Sequence, residues 1–230
     1  MPDLETRSRM SLGISSPAIY EMVARALSAR GVRGGAFLDI GCGCGQLWQY
    51  LGRHFDEYIG VDAVRYEDLP QGIDFHRHDL HCDRMPLPCG IGDVVAAVET
   101  IEHLENPRAF FRELLRLTKR GGWLLVTTPN QLSLLSLLTL AFKHQFNAFQ
   151  EVHYPAHLTA LLEVDLRRMA AECGLQEVAV EYSRQGRIVF TGRHYPQLLV
   201  KSFPRSCSDN LLLIGKRLAE PAEMIGPWQT

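Results

Sequence analysis

The stretch Phe37-Leu38-Asp39-Ile40-Gly41-Cys42-Gly43-Cys44-Gly45 has the most informative pattern in the chain. A short apolar run, typical of a buried parallel strand, leads into three glycines at alternate positions. Glycine lets the backbone turn tightly and lets a ligand come close, because it has no Cβ. A helix is predicted from Gln46 to His54, so a ligand is expected at a strand–loop–helix junction of an open α/β sheet.

The composition is that of an ordinary globular chain. Its 230 residues are 46% hydrophobic and 22% charged, which predicts one domain over residues 1–230. The net charge of −2 argues against a protein that coats nucleic acid non-specifically. No stretch approaches the roughly 20 apolar residues of a membrane-spanning helix. The N-terminus has no signal-peptide pattern, so we expect a cytoplasmic protein.

Cys42 and Cys44 have no second pair at zinc-finger spacing elsewhere in the chain. We interpret them as small residues that fill a tight loop, and not as a metal or redox pair. A disulfide framework is not expected in a chain of this size and apparent location.

Apolar runs that alternate with helical patterns predict a parallel, doubly wound α/β sheet. The helices are expected after Pro17, after Gly45, from Asn106-Pro107 to Gly121-Gly122, and over Val164–Glu172. The predicted strands are Ala36–Ile40, Tyr58–Val61, Ile73–His76, Asp93–Val98, Trp123–Thr127, Gln176–Tyr182 and Leu211–Gly215.

Two segments fall outside this alternation. Residues 1–16 are polar and are expected to form a flexible N-terminal arm. Residues 131–160 are interpreted as an insertion that contains a leucine-rich helix, Leu132–Phe142. We favour a lid over the active-site mouth that selects the substrate. A homodimer contact and a membrane-surface contact are the alternatives for this helix.

Acidic residues end the first three predicted strands: Asp39, Asp62 and Asp79. The carboxyl ends of parallel strands meet in one crevice, so we expect the three acids there together. Asp62 is placed to accept hydrogen bonds from two ribose hydroxyls. The glycine spacing departs from the dinucleotide-binding pattern, and no basic residue of the loop favours a pyrophosphate. Asp39 suits a positively charged ligand, and Asp79 can accept from an exocyclic amine.

With these features the chain resembles the class I methyltransferases that use S-adenosylmethionine. The resemblance runs from about Phe37 to Arg217, most of the chain. It implies a Rossmann-like, seven-stranded, mostly parallel sheet with helices on both faces and an antiparallel last strand beside strand 5. The stretches that carry it, besides the opening one, are Gly60–Asp62, Asp79-Leu80, Glu99–Leu104, Thr127–Asn130, Pro155–Leu158 and Ser208–Asn210.

The resemblance also implies how the cofactor is held. Asp39 and the glycine loop would contact the methionine part, Asp62 the ribose and Asp79 the adenine. The full set of expected cofactor contacts is Asp39, Gly41, Cys42, Gly43, Gly45, Asp62, Ala63, Asp79, Leu80 and Glu99.

Methyl transfer requires a nucleophile aligned with an already activated sulfonium. A hydroxyl nucleophile also needs a base or a metal to remove or weaken its proton. His103 and His157 are the candidate catalytic bases, with His153 as a weaker third. Glu99 and Glu102, with His103 and His157 or His153, could instead bind Mg²⁺, Mn²⁺ or Zn²⁺.

The Glu-x-x-Glu-His spacing resembles that of small-RNA 2′-O-methyltransferases and some ubiquinone-pathway O-methyltransferases, where a metal assists. The same residues are also common in the family in purely structural or cofactor-side roles. The divalent metal is therefore an alternative that we do not favour.

The segment from Arg184 to Arg217 contains seven basic residues and a single acid, Asp209. It is either a binding patch for an anionic acceptor or a solvated face. We expect an S-adenosylmethionine-dependent O-methyltransferase that acts on a small-molecule or saccharide-type acceptor. The alternatives are a methyltransferase of RNA or another macromolecule, and a non-catalytic relative that serves as an assembly partner.

Overall fold

Seven strands form one sheet in the computed structural model, which describes residues 13–81, 84–189 and 191–218. Along the chain the strands are β1 Ala36–Ile40, β2 Glu57–Asp62, β3 Asp74–Arg77, β4 Gly92–Ala97, β5 Thr118–Pro129, β6 Gln176–Tyr182 and β7 Asn210–Lys216. Their order across the sheet is β3-β2-β1-β4-β5-β7-β6.

Strand β7 is the one that runs against its neighbours. The pairs among β1 to β5 are parallel, whereas β7 pairs antiparallel with both β5 and β6 and lies between them. This arrangement confirms the Rossmann-like fold with its antiparallel last strand.

Helices connect and cover the strands. They are α1 Pro17–Ser28, α2 Gln46–Leu51, α3 Pro107–Leu117, α4 Leu134–Lys143, α5 Glu163–Glu172 and α6 Gln197–Ser202. Short 3₁₀ turns occur at Gly52–His54, Ile101–His103, Asn147–Phe149 and Glu151–His153. Within the described ranges, no helix has the length and apolar character needed to cross a membrane.

Side chains of the central strands alternate between two hydrophobic cores, as the period of two in a strand requires. In β4, Val95 and Ala97 belong to the core under α3 and α5, and Val94 and Ala96 belong to the core under α1 and α2. Both faces of the sheet are therefore covered by helices, which is why these strands are nearly all apolar.

The predicted boundary between α3 and β5 is wrong. The helix ends at Leu117 and not at Gly121-Gly122, and β5 already begins at Thr118. The Thr118 hydroxyl donates to Leu114 O at 2.8 Å and closes the last helical turn, while its backbone is extended and pairs with Gly92. The two glycines instead lie within β5, where the pairing with β4 is irregular.

Gly41 makes the sharp turn after β1. Its φ is +79°, and its N–H donates to Val61 O on the neighbouring strand at 2.7 Å. A Cβ at this position would lie 2.3 Å from Thr100 Oγ1. The turn therefore needs glycine both for its backbone conformation and for the space beside Thr100.

Replacing Gly41 by alanine should destabilise the fold more than replacing Gly121, which provides a matched control. Gly121 has the same φ of +79°, but a Cβ there would meet nothing within 4 Å. Gly121→Ala should cost about 1–2 kcal/mol of unfolding free energy from the left-handed backbone alone. Gly41→Ala should add about 1–3 kcal/mol for the overlap with Thr100. Urea denaturation measures both values, and equal losses would contradict the steric part of this account.

Candidate active site

A cavity of about 630 Å³ opens at the carboxyl edge of the sheet. We call it the site cavity. It is lined by the segment before α1 and by the ends of β1, β2 and β4, with further residues from the 131–160 insertion and from residues 183–194. The carboxyl edge is the position at which open α/β sheets bind ligands.

The residues just before α1 lie on the glycine loop. Gly13 O accepts from Cys44 N at 2.9 Å, and a Cβ at Gly43 would lie 2.3 Å from that same carbonyl oxygen. Ser15 N donates to the Tyr20 hydroxyl at 2.7 Å and fixes this segment to α1. Of the predicted flexible arm, residues 1–12 lie outside the described residues, and the remaining four help to line the cavity.

Asp39, at the end of β1, is 2% exposed and lines the cavity. The Tyr58 hydroxyl donates to Asp39 Oδ2 at 2.8 Å. Burial raises the pKa of Asp39 to about 7; the Tyr58 hydrogen bond lowers this pKa, and the nearby charge of Asp62 raises it. A cation bound beside Asp39 would favour its ionised form and offset part of the cost of burial.

Asp62, at the end of β2, is held in one orientation by backbone donors. Its Oδ2 accepts from Gly43 N at 2.9 Å and its Oδ1 from Val64 N at 3.2 Å. Burial raises its pKa, and these backbone hydrogen bonds oppose the shift. The carboxylate therefore joins the glycine loop to the end of β2 and lies at the wall of the cavity.

Two of the expected cofactor residues lie outside the lining of the cavity. Gly45 begins α2 with φ +70°, and a Cβ there would meet Ile73 Cδ1 at 2.6 Å, so its glycine is required by packing. Asp79 accepts from His81 N at 2.9 Å in its own turn, whereas Leu80 and His81 line the cavity. The remaining members of the predicted cofactor set, Asp39, Gly41, Cys42, Gly43, Asp62, Ala63, Leu80 and Glu99, all line it.

Glu99, after β4, has its carboxylate fixed by two side chains from neighbouring strands. Thr127 Oγ1 donates to Glu99 Oε1 at 2.8 Å, and Asn210 Nδ2 donates to Oε2 at 2.7 Å. Its backbone has a left-handed φ of +48°, which is costly for a residue with a side chain. Burial raises the pKa of Glu99 to about 7, although both hydrogen bonds act to lower it.

Glu102 lies in the 3₁₀ turn that follows, and it is fully buried. Neither of its carboxylate oxygens has a hydrogen-bond partner in the part of the chain that the structure describes. Burial, followed by repulsion from Glu99, raises the pKa of Glu102 well above its usual value. A buried carboxyl without a partner is costly, so this group is suited to hold a proton or to face a cation.

The backbone of Glu102 also brings His103 and His157 together. Glu102 O accepts from Leu158 N at 2.9 Å and from Thr159 N at 3.0 Å, which fixes the insertion against the turn. The two imidazole rings lie edge to face with their centroids 4.7 Å apart.

Backbone carbonyls orient both rings. His103 Nδ1 lies 2.8 Å from Ala156 O, and His157 Nδ1 lies 2.7 Å from Ala148 O. A carbonyl can only accept, so Nδ1 carries the proton in each ring and Nε2 is the basic nitrogen.

One ligand atom each from Glu102, His103 and His157 lie within 4.8 Å of one another. The structure thus brings together three of the four predicted metal ligands, while the oxygens of Glu99 bond to Thr127 and Asn210. One carboxylate and two imidazoles held by outer hydrogen bonds suit a divalent cation. His153, the weaker candidate, stacks on His157 with ring centroids 5.5 Å apart.

The basic C-terminal residues do not converge on the site cavity. Among the described residues, Arg187 is the member of this group that lines it, and its Nε pairs with Asp209 Oδ2 at 2.7 Å. Arg205 pairs with Glu163 at 2.6 Å, and Arg217 donates to main-chain carbonyls. Most of these basic side chains therefore lie away from the site cavity, and the described residues do not form a single binding patch for an acceptor at this cavity.

Tyr20, Tyr58 and Thr127 were not predicted as site residues. For Tyr58, the sequence does contain an indication: its hydroxyl lies in an apolar strand, Tyr58-Ile-Gly-Val. A buried hydroxyl needs a hydrogen-bond partner, which predicts a polar group beside it. Asn210 appeared in the sequence analysis only as part of a motif, since nothing local to residue 210 indicates that it meets Glu99.

Known proteins similar to this chain include enzymes of quinone synthesis. A ubiquinone biosynthesis O-methyltransferase of Erwinia tasmaniensis is 32% identical over 117 residues, which are 46% of this chain and 47% of that protein. One from Pseudomonas paraeruginosa is 29% identical over 110 residues, 44% of this chain and 47% of that protein. The chain spans about half the length of the curated relatives it matches.

A solved structure shares the fold over almost the whole chain. The crystal structure of a SAM-dependent methyltransferase from Archaeoglobus fulgidus has a TM-score of 0.60 at 19% identity, and the match covers 94% of this chain and 100% of that one. At this identity, the likeness shows the fold alone.

A family model described as a methyltransferase domain matches residues 17–180, more than half of the chain. The match includes the glycine loop, the four acids at the carboxyl edge, and both His103 and His157. This chain therefore belongs to the methyltransferase domain family and has the class I, S-adenosylmethionine-dependent methyltransferase fold.

Proposed function

We propose that this chain transfers the methyl group of S-adenosylmethionine to a hydroxyl oxygen of a small-molecule acceptor. The observation that carries the proposal is the cluster of Glu102, His103 and His157 in the same cavity as the glycine loop. Within this cluster a histidine can remove a proton from a hydroxyl directly, or the three groups together can bind a cation that lowers the pKa of the hydroxyl. The naming of its relatives as O-methyltransferases supports the same conclusion.

When bound, the cofactor supplies a methyl group on a positively charged sulfur, a good leaving group. The ionised Asp39 carboxylate would attract the ammonium of the methionine part, and Asp62 would accept from the ribose hydroxyls. The backbone of Gly41 and Gly43 leaves room for this close approach. Leu80 and His81 are the lining residues on the side expected for adenine.

His157 is suited to act as the base. Burial lowers its pKa, the hydrogen bond to Ala148 opposes this shift, and the proximity of His153 adds a smaller lowering effect. It is therefore neutral at physiological pH and can accept a proton at Nε2 while Nδ1–H stays bonded to Ala148 O. The hydrogen bond also fixes the ring plane, so that the basic nitrogen keeps one direction.

A divalent cation is a second candidate at the same place. Glu102, His103 and His157 would hold it, and it would lower the pKa of an acceptor hydroxyl. The unpartnered carboxylate oxygens of Glu102 favour this candidate, because a cation would compensate a charge that is otherwise buried alone.

The distribution of basic side chains around the site cavity fits a small acceptor better than it fits a nucleic acid. Phosphate backbones are bound by several basic side chains arranged along one surface. Here Arg187 is already paired at the cavity, and Arg205 is paired with Glu163 elsewhere. A non-catalytic role is disfavoured because the glycine loop, Asp39 and the histidine pair face one cavity.

The affinity for S-adenosylmethionine should rise between about pH 6 and about pH 8. The pKa of Asp39 is about 7 in the ligand-free protein, and only its ionised form attracts the ammonium group. Binding should therefore release protons near neutral pH, which calorimetry in buffers of different ionisation enthalpy detects. Asp39→Asn should lower the affinity about tenfold or more and flatten the pH profile.

Asp74→Asn is the matched control, because Asp74 is an exposed acid on β3 outside the cavity. It should keep the pH profile of the unchanged protein. An Asp39→Asn protein with an undiminished pH dependence would contradict the role given to Asp39.

Removing the proton-accepting cluster should abolish methyl transfer but leave cofactor binding intact. Glu102→Gln and His157→Gln should each lower kcat by about 100-fold or more, as loss of a general base does. The affinity for S-adenosylhomocysteine should change by less than about threefold, because neither residue is among the expected cofactor contacts. His54→Gln, an exposed histidine in the turn after α2, is the control and should keep full activity.

The same assay in excess EDTA separates the two chemistries. Full activity would indicate that His157 removes the proton of the acceptor hydroxyl. A loss of activity that is restored by added Mg²⁺ or Mn²⁺ would indicate that a bound cation lowers the pKa of this hydroxyl. A trideuteromethyl-labelled donor, with mass spectrometry over a panel of phenols, catechols and sugars, identifies the methylated atom. Label found on nitrogen or carbon alone would overturn the proposed O-methylation.

A further inference from the structure

A second groove lies behind the site cavity, between α1, the end of β6 and α6. We call it the rear groove. It is lined by Arg25, Ala29, Val180, Glu181, Tyr182, Arg184, Val200, Lys201 and Pro204. None of these residues lines the site cavity, so the rear groove is a separate place on the surface.

Three cationic side chains meet in the rear groove. Arg25 is half-buried, and its Nη2 donates to Tyr182 O at 3.2 Å. Its Nε is buried and has no hydrogen-bond partner among the described residues. Arg184 and Lys201 are exposed, and neither makes an ion pair with any part of the chain that the structure describes.

The one acid of the rear groove is already engaged. Glu181 Oε1 pairs at 2.9 Å with Arg30, which follows the end of α1 and does not line the rear groove. Burial lowers the pKa of Arg25 and the positive charge of Arg184 lowers it further, whereas the carboxylates of Glu181 and Glu21 act to raise it. The groove thus gathers three positive charges, and among the described residues neither Arg184 nor Lys201 is paired with an acid.

We propose that the rear groove is a binding site for the phosphoryl group of an anionic ligand. Two guanidinium groups and one ammonium match the double negative charge of a phosphate monoester better than the single charge of a carboxylate. The guanidinium groups offer planar pairs of N–H donors, and that of Arg184 is exposed. The apolar wall formed by Ala29, Val180, Val200 and Pro204 suits the carbon part of the ligand.

The phosphoryl group can belong to a soluble metabolite or to a lipid headgroup. Leu198 is 78% exposed and Phe203 is 61% exposed, and both lie on or next to α6 beside Lys201. A lipid would place its acyl chains on these side chains, whereas a soluble phosphate monoester would not need them.

Calorimetric titration of the whole chain with inorganic phosphate and with glycerol 3-phosphate tests the proposal. Saturating S-adenosylhomocysteine keeps the site cavity filled, and the titration is repeated without it. Arg184→Gln and Lys201→Gln should each raise the Kd for phosphate about tenfold, or about 1.4 kcal/mol. Arg193→Gln is the matched control, since Arg193 is an exposed arginine that lines neither cavity.

Binding to vesicles of phosphatidylcholine, with and without phosphatidic acid, shows whether the phosphoryl group belongs to a lipid headgroup or to a soluble ligand. Binding to phosphatidic acid vesicles that Arg184→Gln and Leu198→Ser both weaken would assign a lipid headgroup. Binding of glycerol 3-phosphate that Leu198→Ser leaves unchanged would assign a soluble ligand.

No binding of any phosphate probe to the unchanged protein would overturn the proposal. An equal loss in Arg193→Gln would also overturn it, because the effect would then be one of net charge. The melting temperature of each variant shows that it is folded. Failure of S-adenosylhomocysteine to bind would contradict the proposed methyl donor, yet phosphate binding at the rear groove would still be measurable.

Discussion

The burial of four carboxyl groups at one edge of the sheet constrains the rest of this structure. Removing a carboxylate from water is costly unless donors or cations replace the water. Asp39 is compensated by Tyr58, and Asp62 by the backbone of the glycine loop. Glu99 and Glu102 follow β4: two side chains donate to the Glu99 carboxylate, and none of the described residues donates to that of Glu102.

The inverted position of β7 follows from this constraint as well as from the fold. Pairing β7 against β5 sets Asn210 opposite Pro129, at the carboxyl end of β5. Its amide thereby reaches Glu99, which a strand running the other way would approach with Lys216 instead. The strained backbone of Glu99 is maintained because Thr127 and Asn210 hold its carboxylate from two neighbouring strands.

The parts of the site that depend on local spacing could be predicted from the sequence. The glycine turn, Asp39 and Asp62 lie within or directly after single strands, and the structure places them at the expected edge. The partners of these acids could not be predicted. Tyr58 meets Asp39 through parallel pairing of β1 with β2, and Asn210 meets Glu99 across 111 positions of sequence.

Charge and loop geometry were harder to predict. Asp79 follows β3 as expected, but its carboxylate accepts from the backbone N–H of His81, two residues further along the chain. This local hydrogen bond depends on backbone angles that the sequence does not show. For the basic C-terminal quarter, the sequence allows either a binding patch for an anionic acceptor or a solvated face, because it shows only that these residues are close along the chain. Folding sends them in different directions: in the segment after β6, Ser183 and Gln185 line the site cavity while Arg184 lines the rear groove.

The central place of β7 has a consequence for how the chain acquires its site during synthesis. Among the described strands, β7 comes last along the chain and fills the gap between β5 and β6, so β5 keeps an open edge until residue 216 has been made and β7 has paired. An unpaired edge of apolar strand is prone to associate with other chains. Until β7 pairs, the nascent chain exposes this edge, and the carboxylate of Glu99 lacks the donor that Asn210 supplies.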